Sequence, residues 1–469
     1  MNQNIKDMEQ ARETSIPFEP CWAAYNPAAH KLVDHAIDVL GYSQSRPTSI
    51  AKYRIVIASI FALSANIDQK GNGSLALNKH GNTWTPYAVG RDIILRVFDD
   101  MEAKGWIAFR EGSGKFILYE DDDGKTKRMG LLSQYVVHDS LYALEGYYDT
   151  AWMEAHKPPV LVSVSETYGA RVIRKRRGIK KPKMLQNKVK QTFGKRYSTA
   201  TSGVNLLGKY WQDHPLFLPP KDNKIPAYAA SATRVYHDGR MDSGGRYYGA
   251  WVNMEGNQRL LCSIDDEPVV QIDLNASQPT LFSSLMGYEM EVGNTWEDLY
   301  AEMLRGFTNT DSKDSASVMR KKIKQCAVEV IGTGNVTKQH PAPDSNVTWA
   351  SIDEWELYRL TLLHHVPALM RLDNKYYNGS GFVSFHEAQI MQQTLEALMA
   401  LDVPAYPVHD CVLVKQSDQD QAVETYRSVI RDYVLAHNRK ENKTAVDILV
   451  PVSIEKADIG KVRLAGSYA

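Results

Sequence analysis

Cysteine is scarce in this sequence and never grouped. Its four residues, Cys21, Cys262, Cys326 and Cys411, are scattered, so neither a zinc-type spacing nor a disulfide framework is available. Net charge is missing too: 55 basic residues stand against 55 acidic ones, and any affinity for nucleic acid has to come from a local patch. The polar N-terminus lacks the charged start and apolar core of a secretory signal, and no apolar run approaches the roughly 20 residues of a bilayer span. These absences set aside the secreted, disulfide-stapled and membrane-spanning classes. The expectation is a soluble, cytoplasmic protein with no membrane partner. With 469 residues, 43% of them apolar, the chain has room for two or three domains with substantial cores.

What is present is concentrated from Met241 to Met286. Val269, Val270 and Ile272, interrupted only by Gln271, read as a buried strand that ends on Asp273. Pro279, Leu281, Phe282, Leu285 and Met286 then read as the apolar face of a helix, with Pro279 in the first turn, where a missing N–H costs nothing. A carboxylate at the exit of a buried strand can hold a divalent cation near phosphates, or it can merely cap the helix. Downstream, Ala405–Val408 and Cys411–Val414 are strand-like with His409 and Asp410 at the joint, which predicts a tight hairpin. That turn places a second carboxylate where it can meet Asp273. Two-metal phosphoryl transfer needs carboxylates from separate strands sharing cations about 3.5–4 Å apart. Taken singly, a His-Asp joint is more often an ordinary turn.

Together these segments resemble a known family. VVQIDLNASQPTLF resembles the first palm motif of the polymerases that unite bacterial repair-type (family A) DNA polymerases with phage-type single-subunit RNA polymerases. PVHDCVLV resembles their third palm motif, with its His-Asp pair at a hairpin tip. MDSGGRYYGAW is similar to the Asp-x-x-Gly-Arg element of the phage-type enzymes, carried by Asp242, Gly245 and Arg246. RKKIKQCAVEVIGTGN resembles the fingers helix, and DILVPVSIEKADIG the closing palm strand. The elements keep the family's order over about the last half of the chain.

The resemblance implies two Mg²⁺ ions held by Asp273, Asp410 and the backbone of Leu274, with DNA template, primer and nucleoside triphosphates as partners. It implies phosphate contacts from Arg320 and Lys324, support of Asp410 by His409, a template or hybrid contact from Arg246, and a ribose contact from His386. Read from the residues alone, Arg320 and Lys324 are an i, i+4 pair on one helix face, between which a triphosphate could sit or which could simply be solvated. Asp242 to Arg246 equally reads as a plain glycine turn, and His386 as a helix-start or core histidine. Two positions bear on the product. Where the family's DNA enzymes carry a bulky Glu that crowds the ribose 2′-hydroxyl, this chain has Gln278; where the family has Tyr-Gly at the end of the fingers helix, it has Ile331-Gly332.

The N-terminal half reads differently. A possible helix at Ala29–Leu40 and a buried helix from Ile50 to Ala65 precede a stripe of Ile94, Val97, Phe98 and Met101 that ends at Gly105. Trp106–Arg110 and Lys115–Tyr119 flank Gly112-Ser113-Gly114, predicting a glycine-tipped hairpin. Helix, helix and hairpin resemble a winged helix-turn-helix, with Arg91, Arg96, Lys104, Arg110 and Lys115 as available DNA contacts. From Ala170 to Arg196 basic residues accumulate without an acid; Arg174, Lys175, Arg176, Arg177, Lys180 and Lys181 form a phosphate-neutralising run or a solvated linker.

The reading is α+β: a winged helix-turn-helix domain over residues 1–150, a basic connector over 151–225, and a right-hand polymerase palm with an antiparallel sheet and reduced fingers over 226–469. The function expected is template-directed nucleotidyl transfer by a small DNA polymerase or primase-polymerase of a phage or mobile element. A single-subunit RNA polymerase, a non-catalytic replication initiator and a nuclease are the competing readings. No exonuclease-like set of acidic motifs occurs in the N-terminal half, so no proofreading is expected.

Overall fold

The computed structural model describes residues 15–68, 73–79, 89–111, 116–120, 126–130, 132–154, 161–165, 183–219, 227–288, 299–305, 315–342, 345–372, 379–446, 452–457 and 460–464. The chain is a mixed α+β protein of two compact units, one formed by 1–160 with 211–231, the other by 161–210 with 232–469. The described part of the expected connector is therefore divided between the two units.

The first unit contains β1 (Ser15–Pro17), β2 (Trp22–Ala24), α1 (Pro27–Val39), α2 (Pro47–Asp68), β3 (Ser74–Leu77) and α3 (Arg91–Ala103). There follow β4 (Ile107–Glu111), β5 (Phe116–Glu120), β6 (Thr126–Gly130), β7 (Ser133–Val137) and β8 (Trp152–Glu154). Asn26 caps α1, its side chain accepting from the Ala29 N–H, and Pro27 fills the first helical position. Aromatic side chains, among them Phe61, Phe98, Trp106, Tyr135 and Trp152, fill the core between these elements. Helix α2 is long and apolar enough to cross a membrane by length and composition, with mean hydropathy 1.4 over Pro47–Ile67, which corrects the expectation that no apolar run approaches a bilayer span. Two thirds of that window (67%) is nevertheless buried inside the protein, as a core helix would be.

The predicted hairpin at Gly112-Ser113-Gly114 is corrected by the pairing. β4 runs antiparallel to β7, with Ile107 opposite Val137, and β5 runs antiparallel to β6, with Phe116 opposite Gly130. Phe116–Glu120 therefore pairs with Thr126–Gly130 and does not return along Trp106–Arg110. The β4–β7 register shifts between Phe109 and Glu111. Gly112, Ser113 and Gly114 themselves lie outside the described residues. Lys115 and the whole Arg174–Lys181 basic run lie outside the described residues.

The second unit begins with β9 (Val162–Val164) and α4 (Gln186–Asp213), a helix broken at Gly194. After β10 (Leu216–Leu218) and β11 (Ala227–Ala229) of the first unit come β12 (Thr233–Tyr236), β13 (Gly244–Tyr248), β14 (Ser263–Ile264) and β15 (Glu267–Leu274). Next are α5 (Ser277–Leu285), α6 (Leu299–Leu304), α7 (Ala316–Thr333), α8 (Ile352–His365) and α9 (Gly379–Ala400). Last come β16 (Ala405–Val408), β17 (Cys411–Lys415), α10 (Gln419–Lys440), β18 (Val452–Lys456) and β19 (Gly460–Leu464).

One antiparallel sheet, in the order β16-β17-β15-β18-β19, carries the site. β15 is its middle strand, with β17 on one edge and β18 on the other. Val269, Val270 and Ile272 are buried, as are Val412, Leu413 and Val414 beside them, which is why the strand reads as a continuous apolar run. Gln271 sits in that run because its amide oxygen accepts from Arg259 Nε at 3.1 Å. Helix α9 packs on β13, and α10 packs on α9 and against the sheet.

Candidate active site

The register fixes where the two carboxylates emerge. Asp273 pairs directly with Cys411, and Val408 pairs with Cys411 across the β16–β17 hairpin, leaving His409 and Asp410 as the two-residue turn. His409 takes a left-handed conformation (φ 61), which tightens that turn as primed hairpins require. Asp410 and Asp273 are thereby brought to the same end of adjacent strands. One ligand atom each from Asp273, Asp410 and Cys411 all lie within 4.8 Å of one another. Cys411 Sγ donates to Asp273 Oδ1 at 3.0 Å, and Tyr426 of α10 donates its hydroxyl to the Asp410 carbonyl oxygen at 2.7 Å.

Beyond Leu274 the chain turns through Ala276, itself left-handed (φ 48), into α5, whose first turn holds Ser277, Gln278 and Pro279. Facing them is α7, capped by Ser315, whose side chain accepts from the Val318 N–H, and closed by left-handed Gly334. A cavity of about 380 Å³ opens between these elements, lined among others by Asp273, Asp410, Arg246, Gln278, Arg320 and Lys324. Leu274, Cys411, Tyr300 and Ile331 also line it. The Arg320 guanidinium lies 5.9 Å from the Tyr300 ring centroid, a cation–π distance. Two acidic groups and three basic ones thus line one space.

Arg246 reaches this cavity from β13 and pairs with Glu387 of α9, whose other carboxylate oxygen accepts from Ser277 Oγ. Glu387 is buried, and it was not singled out from the sequence. It adds a third carboxylate behind the pair. Burial, the Glu387 charge and the Asp273 charge together push the Asp410 carboxyl up to about 7, against an opposing pull from Arg246. The Arg246 guanidinium is shifted up by Glu387 despite the opposing effect of burial. Its Nε is buried without a hydrogen-bond partner among the described residues.

Four sequence-derived site residues lie elsewhere. His386 is turned away: its Nδ1 is 2.7 Å from the Tyr433 hydroxyl, and it lines a separate cavity with Phe382, Phe385 and His437. One residue along a helix is a rotation of about 100°, so on α9 it is Glu387, not His386, that faces the carboxylates. His409 does not line the cavity; its ring makes an edge contact with Tyr248, and burial and nearby Arg246 and Arg259 push it down to about 4. Asp242 is held by Arg240 Nε at 2.6 Å and lies 3.8 Å from Arg196, which keep its carboxyl below the usual range. Gly245 sits at φ +91 with Tyr236 where a side chain would be, so its role is to let β13 pass close to that ring.

The two carboxylates by themselves suit a hard cation: held close together they repel, and a divalent ion relieves that repulsion while drawing on oxygen ligands.

No protein-family model matches the chain, and no curated protein matches it. Among solved structures it is similar to the POL domain of Pol1 from M. smegmatis, in complex with DNA primer-template and dNTP. The identity is 11%, 96% of this chain and 69% of that chain are covered, and the TM-score is 0.34.

Proposed function

We propose that this chain is a template-directed nucleotidyltransferase with a family A-like polymerase palm, and that it makes DNA. The observation that carries the reading is the meeting of Asp273 and Asp410 at the ends of paired strands, across one cavity from Arg320 and Lys324. Asp273, Asp410 and the main-chain carbonyl of Leu274 would hold Mg²⁺. When bound, the ions supply a lowered pKa for the attacking 3′-hydroxyl and neutralise the triphosphate and departing pyrophosphate.

The chain's own residues do the rest. Arg320 and Lys324 bind the triphosphate by charge-assisted hydrogen bonds and set its position along α7. Arg246, fixed by Glu387, presents a preorganised positive charge beside Asp410 and orients the nucleic acid or sugar that enters there. Gln278, in the first turn of α5, crowds the sugar and favours deoxynucleotides. Of the residues that resemble the phage-type RNA enzymes, Asp242 and His386 lie outside the cavity, which supports a DNA product over an RNA one. In the first unit, α2, α3 and the strands that follow are read as parts of a winged helix-turn-helix that would hold duplex. The 170–196 basic run would neutralise phosphates. A cytoplasmic location goes with that template.

Primer extension with Mg²⁺ tests the reading, comparing dNTPs, NTPs and unprimed template. Extension with dNTPs that disappears in both Asp273→Ala and Asp410→Ala supports it. Binding of DNA without incorporation under any condition overturns it in favour of a replication initiator, and loss of labelled DNA without addition points to a nuclease.

A further inference from the structure

Cys411 follows the hairpin tip, where the two polymerase groups resembled above need only oxygen ligands for Mg²⁺. It is the direct cross-strand partner of Asp273, and its Sγ lies 3.0 Å from Asp273 Oδ1. The other three cysteines are buried, at 2%, 1% and 0% exposure for Cys21, Cys262 and Cys326. Cys411 alone is partly open, and it opens into the carboxylate-lined cavity. A thiol between two carboxylates is a different donor set from carboxylates alone: thiolate favours borderline-soft ions, whereas Mg²⁺ takes oxygen.

We propose that Asp273, Asp410 and Cys411 form a site for a thiophilic divalent cation of the zinc class, bound in competition with Mg²⁺. Zinc bonds of about 2.3 Å to sulfur and 2.0–2.2 Å to oxygen span at most about 4.5 Å across one ion. The observed spread of 4.8 Å closes with small side-chain rotations. Three protein ligands leave one position open, the arrangement of reactive rather than structural zinc sites. Binding replaces the S–H bond with a sulfur–metal bond; the Sγ proton, which Asp273 Oδ1 now accepts, leaves to solvent. The shared ligands mean that a zinc-class ion and the Mg²⁺ pair exclude each other, so trace zinc would act as an inhibitor. The inference rests on the reading of Asp273 and Asp410 as cation ligands.

Titration of the full chain with Cd²⁺, followed by the ultraviolet thiolate-to-cadmium band, tests it. One Cd²⁺ per chain with a band that is lost in Cys411→Ser, reduced in Asp273→Asn, and displaced by Zn²⁺ and by excess Mg²⁺ is expected. Serine keeps a donor to Asp273, and circular dichroism checks that the variant is folded. No band in the wild type, a band that survives Cys411→Ser, or one indifferent to Mg²⁺ overturns the proposal. Primer extension separates the two readings. Extension without a cadmium band removes the thiol site alone, and a band without extension removes nucleotidyl transfer alone.

Discussion

Arg246 and Glu387, 141 positions apart, form an ion pair with side-chain exposures of 20% and 2%, and that pair ties β13 to α9 directly behind Asp410. Removing one partner leaves the other charge buried. Glu387→Ala should therefore lower stability by about 3–5 kcal/mol, read as a fall in urea midpoint. Glu387→Gln keeps an acceptor for Arg246 and should lose less. A loss no larger than that of an exposed Glu→Ala change, such as Glu424→Ala, would show that the pair is not held in solution.

Two groups give the stability profile opposite slopes. Burial, with His437 and Lys443 nearby, pushes His386 down to about 3, so the folded chain refuses a proton that the unfolded chain accepts near 6.5. The contribution of His386 is present above about pH 6.5 and is lost as pH falls towards 3. Asp410, raised to about 7, works the other way: its contribution is present below about pH 4 and is lost as pH rises through 7. Urea midpoints taken without divalent ions should show His386→Phe flattening the acid arm and Asp410→Asn flattening the neutral arm. A profile unchanged by both substitutions contradicts these environments.

Gly245→Ala tests whether the glycine turn is about backbone shape. At φ +91 an added Cβ would stand 2.8 Å from Tyr236 Cε1, so left-handed strain of about 1–2 kcal/mol combines with a clash. The variant should lose at least that much stability and shift Arg246. Gly256→Ala, where a Cβ meets nothing within 4 Å, should change stability by less than about 0.5 kcal/mol. Equal effects at the two sites would refute the argument.

Arg320→Ala and Lys324→Ala should each weaken triphosphate binding by about 1.5–3 kcal/mol, roughly 10- to 150-fold. Lys321→Ala, one residue along but absent from the cavity wall, should leave affinity near the wild-type value. A fluorescent triphosphate analogue gives the readout, and matching losses at all three positions would reduce the effect to bulk charge.

Much of the site was legible because its chemistry sits on strongly patterned elements. The strand ending at Asp273, the hairpin around His409-Asp410 and the helix carrying Arg320 and Lys324 each lie within a few residues of where apolar periodicity puts them. What stayed hidden depends on partners far away in sequence. Glu387 has no local signature; only the rotation of α9 against β13 and α5 decides that it, not His386, faces the carboxylates. Asp242 matched a motif, yet Arg240 and Arg196 engage it. The 112–114 glycines looked like a hairpin tip because local turn chemistry cannot reveal that β4's partner is β7.

β15 is hydrogen-bonded along both edges, whereas the hairpin that carries Asp410 ends in β16, which pairs only with β17 among the described strands of this sheet. Asp273 is thus the fixed jaw of the pair and Asp410 the adjustable one, its carbonyl steadied by Tyr426 from α10. Backbone amides at Ile272 and Asp273 should exchange with solvent far more slowly than those at His409 and Asp410. The gap between the carboxylates is then set by the seating of one helix, and a change that tilts α10 would retune the site without touching either aspartate.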